Sequence, residues 1–136
     1  MNHNMYHNPI VQDNIQKLER FGYEMIAPDR GMLANGDDGD GRMPEPEVLF
    51  EYILRELAFE KDLAGKKVLV TAGATMEAID PVRYITNHSS GKMGCAVAKA
   101  AMQRGAKVTL VAGHMEVLPP MFVDVVNVKS AADMFE

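Results

Sequence analysis

A single cysteine, Cys95, in a chain of 136 residues excludes an intrachain disulfide and any multi-cysteine metal site, and agrees with a reducing compartment. Positive charge is also scarce. Fourteen Lys plus Arg stand against 19 Asp plus Glu, a net charge of −5, so the chain is a poor candidate for duplex nucleic acid, which needs a basic face. No run approaches the ~20 apolar residues of a membrane span, and Met1 to Tyr6 has neither the basic region nor the apolar run of a signal peptide. What is present, 47% hydrophobic and 24% charged residues, is the balance of a soluble globular protein. The expectation is a soluble, cytoplasmic chain that contacts neither nucleic acid nor membrane.

Along the first half, Asn8-Pro9 opens a helix, Ile15 and Leu18 continue its spacing, and Gly22 suits its stop. Residues 23–27 alternate and predict a short strand ending at Pro28. From Asp29 to Pro46 the composition shifts to Gly31, Gly36, Gly39 and Gly41 among Asp29, Asp37, Asp38 and Asp40, which predicts a mobile loop or flap. A helix is expected from Pro46 to Ala58, with Val48, Leu49, Tyr52, Ile53 and Leu57 on one side.

The second half has another rhythm. The run Lys67–Ala72 is β-branched and continuous, the pattern of a strand buried on both faces. A long polar connection follows from Gly73 to Ser90. A small-residue helix runs from Gly91 to Arg104 and is closed by Gly105; a second buried strand is expected over Lys107–Ala112, and a third over Val123–Val128. Ser130 then caps a further helix. Strand, helix and strand in this order form the βαβ unit of a parallel sheet with a right-handed crossover, so the fold class is α/β with an incomplete Rossmann-like sheet. One complete crossover helix leaves an edge and much of one face of such a sheet bare. The chain is therefore expected to continue beyond both ends.

The chemistry is expected between Gly73 and Gly94, where a parallel strand hands over to the next helix. Open α/β sheets place ligands at that point, because helix amides and the helix dipole hold anions. Gly73 has no Cβ to obstruct a phosphate, Ser89, Ser90 and Gly91 offer amides and hydroxyls, Lys92 adds charge, and Gly94 allows close packing on strand or ligand. Two familiar motifs fail. A P-loop aligned on Gly91-Lys92 puts Thr86 at its first glycine and Met93 at its hydroxyl position, and Gly73-Ala74-Thr75 breaks the dinucleotide glycine pattern. The residues alone imply an anionic ligand at a strand-to-helix turn, and no particular nucleotide.

The stretch Gly-Ala-Thr-Met-Glu-Ala-Ile-Asp-Pro-Val-Arg-Tyr-Ile-Thr-Asn-His-Ser-Ser-Gly-Lys-Met-Gly, from Gly73 to Gly94, resembles the signature of phosphopantothenate–cysteine ligases. In bacteria these are commonly fused behind a flavin-dependent phosphopantothenoylcysteine decarboxylase. The resemblance continues through Arg104–Val111 and Val123–Phe135. The first half is similar to the decarboxylase: Met1–Tyr6 resembles the end of its substrate-binding motif, and Ala34–Asp37 with Gly41–Pro46 resembles its flap. The resemblance implies three parts: residues 1–60 from the decarboxylase domain, 61–66 a linker, and 67–136 from the ligase domain. It implies coenzyme A biosynthesis, with 4′-phosphopantothenate, cysteine and CTP as ligands and Mg²⁺ assisting the ligase half. FMN serves the family's decarboxylase half and is not expected to bind this chain tightly. It also implies a homodimer formed through the ligase half.

Residue by residue, the resemblance places Gly73, Ser89, Gly91 and Gly94 at nucleotide-binding positions and Asn87 at the residue contacting phosphopantothenate and the acyl intermediate. Arg83 matches one that reaches the substrate phosphate across a dimer interface, and Asn2 falls where the decarboxylase binds substrate. By its spacing alone, Lys92 suits a substrate-phosphate contact and a plain helix-surface charge equally. Asn35 occupies the place of the family's flap cysteine, the proton donor to the flavin-derived enethiol. Asn has no comparably acidic proton, so that step is expected to fail.

Plainer readings stand beside these. His88 suits a structural loop residue. His3, His7 and His114 are scattered in sequence, so no metal site is expected. Cys95 suits a small buried hydrophobe, and most of the 11 methionines suit core filling. Asp37, Asp38 and Asp40 lack the closing Glu of a calcium loop. A generic Rossmann-like nucleotide-binding module and an inactive remnant are the alternatives to the ligase.

Overall fold

Asn2 and Asn8 each start a helix in the computed structural model of the protein, which describes residues 1–135. The chain divides into two units, Met1–Phe50 and the stretch from Glu51 onward. In the first, Asn2 accepts from the Asn4 amide to cap α1 (His3–Tyr6), and Asn8 accepts from the Ile10 amide at 2.9 Å to cap α2 (Pro9–Arg20). Pro9 holds the first helical position, and Gly22 takes φ +86° just past the end.

Two expectations for this unit are corrected. Residues 23–27 form no strand; Met25 and Ile26 instead line an apolar groove of about 440 Å³ with Tyr6, Val11, Ile15 and Met43. Alternation alone does not supply a ladder partner. The segment expected as a loop holds an antiparallel hairpin, β1 (Asp29–Met32) paired with β2 (Asp38–Arg42). Its turn closes with the Leu33 amide donating to the Asp37 carbonyl at 2.8 Å and Gly36 at φ +85°. Of the aspartates that suggested a loop, Asp29, Asp37 and Asp38 are exposed, and Arg30 pairs with Asp38 across the strands at 3.2 Å. The glycines bring the strand close to the N-terminus: a Cβ on Gly39 would meet the His3 ring at 2.9 Å. Helix α3 (Pro46–Leu57) forms as expected, yet none of its residues is buried and Leu57 is 80% exposed.

The second unit is built on a parallel sheet of three strands ordered β3 (Lys67–Ala72), β6 (Lys107–Ala112), β7 (Asp124–Asn127). Between β3 and β6 lie a short antiparallel pair, β4 (Glu77–Ala78) and β5 (Tyr84–Ile85), and then α4 (Lys92–Gln103). The register runs Lys67 opposite Lys107 through Ala72 opposite Ala112. Gly94, Ala98 and Ala101 recur at helical spacing on α4, so the helix lies low on the sheet. Val70, Ala72, Ala98, Ala101, Met102, Ala106, Val108 and Leu110 form the core. Val108 and Leu110 are fully buried, each stabilising by about 1.5–3 kcal/mol.

Burial of both faces of β3 is not seen. Val70 and Ala72 face α4, whereas Leu69 on the other face is 70% exposed. The β-branched run reports strand propensity, and how many layers cover the sheet is a separate matter. The methionine reading is corrected as well. Met102 is buried, but Met32, Met43 and Met93 are more than two-thirds exposed, at 78%, 70% and 83%. Residues 61–66 are tied to the end of α4: the Leu63 amide donates to the Arg104 carbonyl at 3.0 Å, Lys61 Nζ donates to the Gln103 carbonyl at 2.8 Å, and Arg104 pairs with Asp62. The Arg104 guanidinium, by hydrogen bond and by charge, holds the Asp62 carboxyl below its ordinary value of 3.8. The C-terminal helix α5 (Ala131–Phe135) starts with Ser130, whose Oγ accepts from the Asp133 amide, while Asp133 accepts from the Ser130 and Lys129 amides.

Candidate functional site

The C-terminal ends of the parallel strands are zipped beyond the sheet. The Ala74 amide donates to the His114 carbonyl at 3.0 Å, and the His114 amide returns to Ala74 at 2.8 Å. Farther along, the Met76 amide donates to Lys129 at 2.7 Å and the Glu116 amide to Ser90 at 3.1 Å. The long connection from Gly73 to Ser90 is thus anchored at several points, and it folds into the β4–β5 hairpin that sequence reading missed. Asp80 organises the hairpin's turn. Its carboxylate accepts from the Arg83 amide at 2.7 Å, the Val82 amide at 2.9 Å and Arg83 Nε at 2.6 Å. Those bonds, the backbone ones first, hold Asp80 below its ordinary 3.8.

Gly73 and Gly91 both take left-handed backbone, at φ +85° and +78°. Gly91 is the N-cap of α4, and no side chain caps that helix. Its first-turn residues Lys92, Met93 and Gly94 face a cavity of about 760 Å³, lined also by Gly73, His88, Ser89, Ser90 and residues 68–72 of β3. An uncapped helix start opening on a cavity is an electropositive place for an anion. Among the described residues that line it there is no carboxylate, so these do not themselves hold a Mg²⁺ ion.

The structure brings together Gly73, Ser89, Gly91, Lys92 and Gly94 around this one cavity. Asn87 does not line it, but stands two residues away and organises its wall: Asn87 Oδ1 accepts from the Ser89 amide at 2.8 Å. Arg83 is not brought in. Its guanidinium lies at the hairpin tip, 73% exposed and paired with Asp80. Gly94 serves the strand, since a Cβ there would lie 2.6 Å from both the Ala72 Cβ and the Thr71 carbonyl oxygen. At Gly73 the same space is taken by the His114 carbonyl and by Met115 Cγ at 2.7 Å, so protein, and not ligand, occupies the side that a Cβ would fill.

Sequence reasoning missed Met115. Its side chain lies against Gly73 and Gly91 together, and its Sδ is 3.8 Å from Cys95 Sγ. Only the return of the chain after β6 carries it there, and no local signal announces that. Cys95 is half-buried in this packing.

In the first unit, Asn2 and Asn35 share the lining of a second cavity of about 400 Å³, with Met1, Met32, Leu33, Ala34, Gly41 and Arg42. Asn35 is held by Asp37, to which its amide donates at 2.6 Å. The cations of the lining are already engaged: Arg42 pairs with Glu45, and the Met1 ammonium donates to the Gly41 carbonyl at 2.6 Å. A flavin mononucleotide needs a phosphate cradle, and these residues provide none, so they do not fit FMN by themselves. His3 and His7 converge on Asp40 in this unit. No helix among the described residues is long and apolar enough to cross a membrane.

Residues 63–136 match the family described as DNA/pantothenate metabolism flavoprotein C-terminal domain, and residues 1–58 match the flavoprotein family. The chain is 50% identical to the Coenzyme A biosynthesis bifunctional protein CoaBC of Haemophilus influenzae and 52% identical to the protein of that name from Vibrio parahaemolyticus. Each alignment covers 100% of this chain and 34% of the relative, so the chain spans about a third of the length of those proteins. Among solved structures, the C-terminal domain of a Coenzyme A biosynthesis bifunctional protein CoaBC is 56% identical with a TM-score of 0.51, covering 53% of this chain and 37% of that one.

Proposed function

The chain belongs, through residues 63–136, to the family of the DNA/pantothenate metabolism flavoprotein C-terminal domain, and from that premise we propose that it serves coenzyme A biosynthesis as part of a phosphopantothenate–cysteine ligase. In this reading residues 1–60 belong to a decarboxylase domain, 61–66 join the two, and 67–136 begin the ligase. The observation that carries it is the uncapped start of α4, opening on a cavity whose wall is Gly73 and Ser89–Gly94.

In the proposed reaction the carboxylate of 4′-phosphopantothenate attacks the α-phosphate of CTP. Pyrophosphate leaves and an acyl-cytidylate forms. The amine of cysteine then attacks the acyl carbon and releases CMP, giving phosphopantothenoylcysteine. The first step brings two anions together, so its barrier is lowered by fixed donors facing the phosphates. The α4 amides and Ser89 take the nucleotide, and Lys92 screens the approaching carboxylate. Asn87 orients the acyl group beside the wall that it holds in place. Arg83 reaches the phosphate of the pantothenate bound by a second copy, where its planar fork suits a bidentate grip. No step is assigned to Mg²⁺ or to FMN, since the lining residues fit neither. Asn2 is proposed for the substrate of the decarboxylase half, with Asn35 in place of that half's proton donor.

Thermal unfolding with ligands tests this reading. Saturation with CTP at ~100 Kd stabilises the second unit by roughly 3 kcal/mol, and NADPH at the same concentration leaves it unchanged. Stabilisation by NADPH and not by CTP makes the site a generic dinucleotide module. A chain indifferent to both is a remnant without a nucleotide site.

A further inference from the structure

We propose that His3, His7 and Asp40 form a binding site for one divalent transition-metal ion of the zinc class. One ring nitrogen of His3, one of His7 and an Asp40 carboxylate oxygen all lie within 4.8 Å of one another. His7 Nε2 is 2.9 Å from Asp40 Oδ2, and His3 Nδ1 is 4.0 Å from the same oxygen. Zinc ligands sit about 2.0–2.1 Å from the ion, so tetrahedral neighbours stand roughly 3.4 Å apart. The two spacings in the protein bracket that figure.

The backbone assembles the trio. His3 and His7 stand four residues apart, on one face of α1 and its cap, with rings 4.5 Å apart and edge-on. Asp40 comes from β2, which is fastened to the N-terminal segment by the Met1 ammonium donating to the Gly41 carbonyl at 2.6 Å. An ordinary surface ion pair needs only His7 and Asp40. His3 converges on the same carboxylate because Gly39 leaves room for its ring, where a Cβ would intrude at 2.9 Å. The Asp40 amide donates to His3 Nδ1 at 3.2 Å, a long bond and the one interaction that an ion displaces at that nitrogen.

Two imidazoles with one carboxylate suit Zn²⁺ or Co²⁺, whereas Mg²⁺ and Ca²⁺ demand oxygen donors. The three side chains are 44%, 49% and 39% exposed, so an ion enters from solvent and water completes its shell. The chain neighbours of two ligands, Asn2 and Gly41, line the cavity that holds Asn35. A bound ion therefore fixes the β1–β2 hairpin beside that cavity.

Titration of the whole chain with Zn²⁺ by calorimetry, and with Co²⁺ by visible absorption, tests the site. One ion per chain is expected, with micromolar affinity and the intense bands of low-coordinate cobalt. His7→Gln and Asp40→Asn each weaken binding about tenfold or more, while His114→Gln leaves it unchanged. Circular dichroism shows whether each variant keeps its fold, and the wild-type cobalt spectrum and the His114 control decide the matter without them. Absence of saturable uptake by the wild type, unchanged affinity in the doubly substituted His7→Gln, Asp40→Asn chain, or loss on His114→Gln overturns the proposal.

Discussion

Replacing Gly94 with valine is expected to lower the stability of the second unit by about 3 kcal/mol or more, through overpacking against atoms that cannot retreat. Even the first added carbon would sit 2.6 Å from the Thr71 carbonyl oxygen and from the Ala72 Cβ, and 2.9 Å from the Ala72 Cα. These are atoms of a hydrogen-bonded strand, so no rotamer change relieves them. Removing a glycine from a helix gains at most ~1 kcal/mol of propensity, and valine less because it is β-branched. The clash therefore wins. The melting temperature of the second unit, followed by circular dichroism, should fall by roughly 12–24 °C. Gly65→Ala supplies the contrast. At φ +74° with nothing within 4 Å of the new Cβ, it costs only the backbone strain of about 1 kcal/mol. Equal melting of the Gly94→Val chain and the wild type would mean that α4 does not approach β3 this closely.

The second large effect is on turnover. In a chain carrying the remaining length of the relatives, Asn87→Asp should cut CTP-dependent pyrophosphate release about a hundredfold or more, the scale of losing one oriented donor in a water-poor site. The substitution is chosen because Oδ1 of Asn87 only accepts from the Ser89 amide. Aspartate supplies the same acceptor, so the wall of the cavity keeps its shape and melting moves by no more than about 2 °C. What changes is the loss of the amide NH₂ and the arrival of a negative charge beside a carboxylate and a triphosphate. Unchanged turnover removes Asn87 from the reaction. A large fall in melting temperature instead shows that its role is to hold the loop.

Much of this was legible in the residues, and the reasons differ element by element. Asn8-Pro9 and Gly22 bounded α2 because caps and a left-handed glycine act locally. The β-branched runs at Lys67 and Lys107 located β3 and β6 in their parallel ladder. Burial was read less well. The apolar run at β3 was expected to be covered on both faces, but Leu69 stays exposed because α4 covers only the other side. Hairpins escaped for a similar reason: β1–β2 and β4–β5 depend on cross-strand partners and on an Asp80 anchor, and polar composition conceals both. Residues 23–27 showed the converse failing, an alternating pattern with no partner.

Within the candidate site the local part was readable and the tertiary part was not. Gly73, Ser89, Gly91, Lys92 and Gly94 meet at one cavity because a strand end and a helix start must meet in a βαβ turn. Met115 comes from the turn after β6, and His3, His7 and Asp40 gather only when a hairpin folds onto a four-residue helix.

The uncapped start of α4 as a nucleotide-phosphate cradle is tested most directly by amide chemical shifts in a titration of the isotope-labelled chain with CTP. Saturable shifts are expected at Gly73 and from Ser89 to Gly94, matched neither by NADPH nor by phosphate at the same concentration. Saturation that leaves those amides unmoved, or shifts confined to the Met1–Phe50 unit, would contradict it.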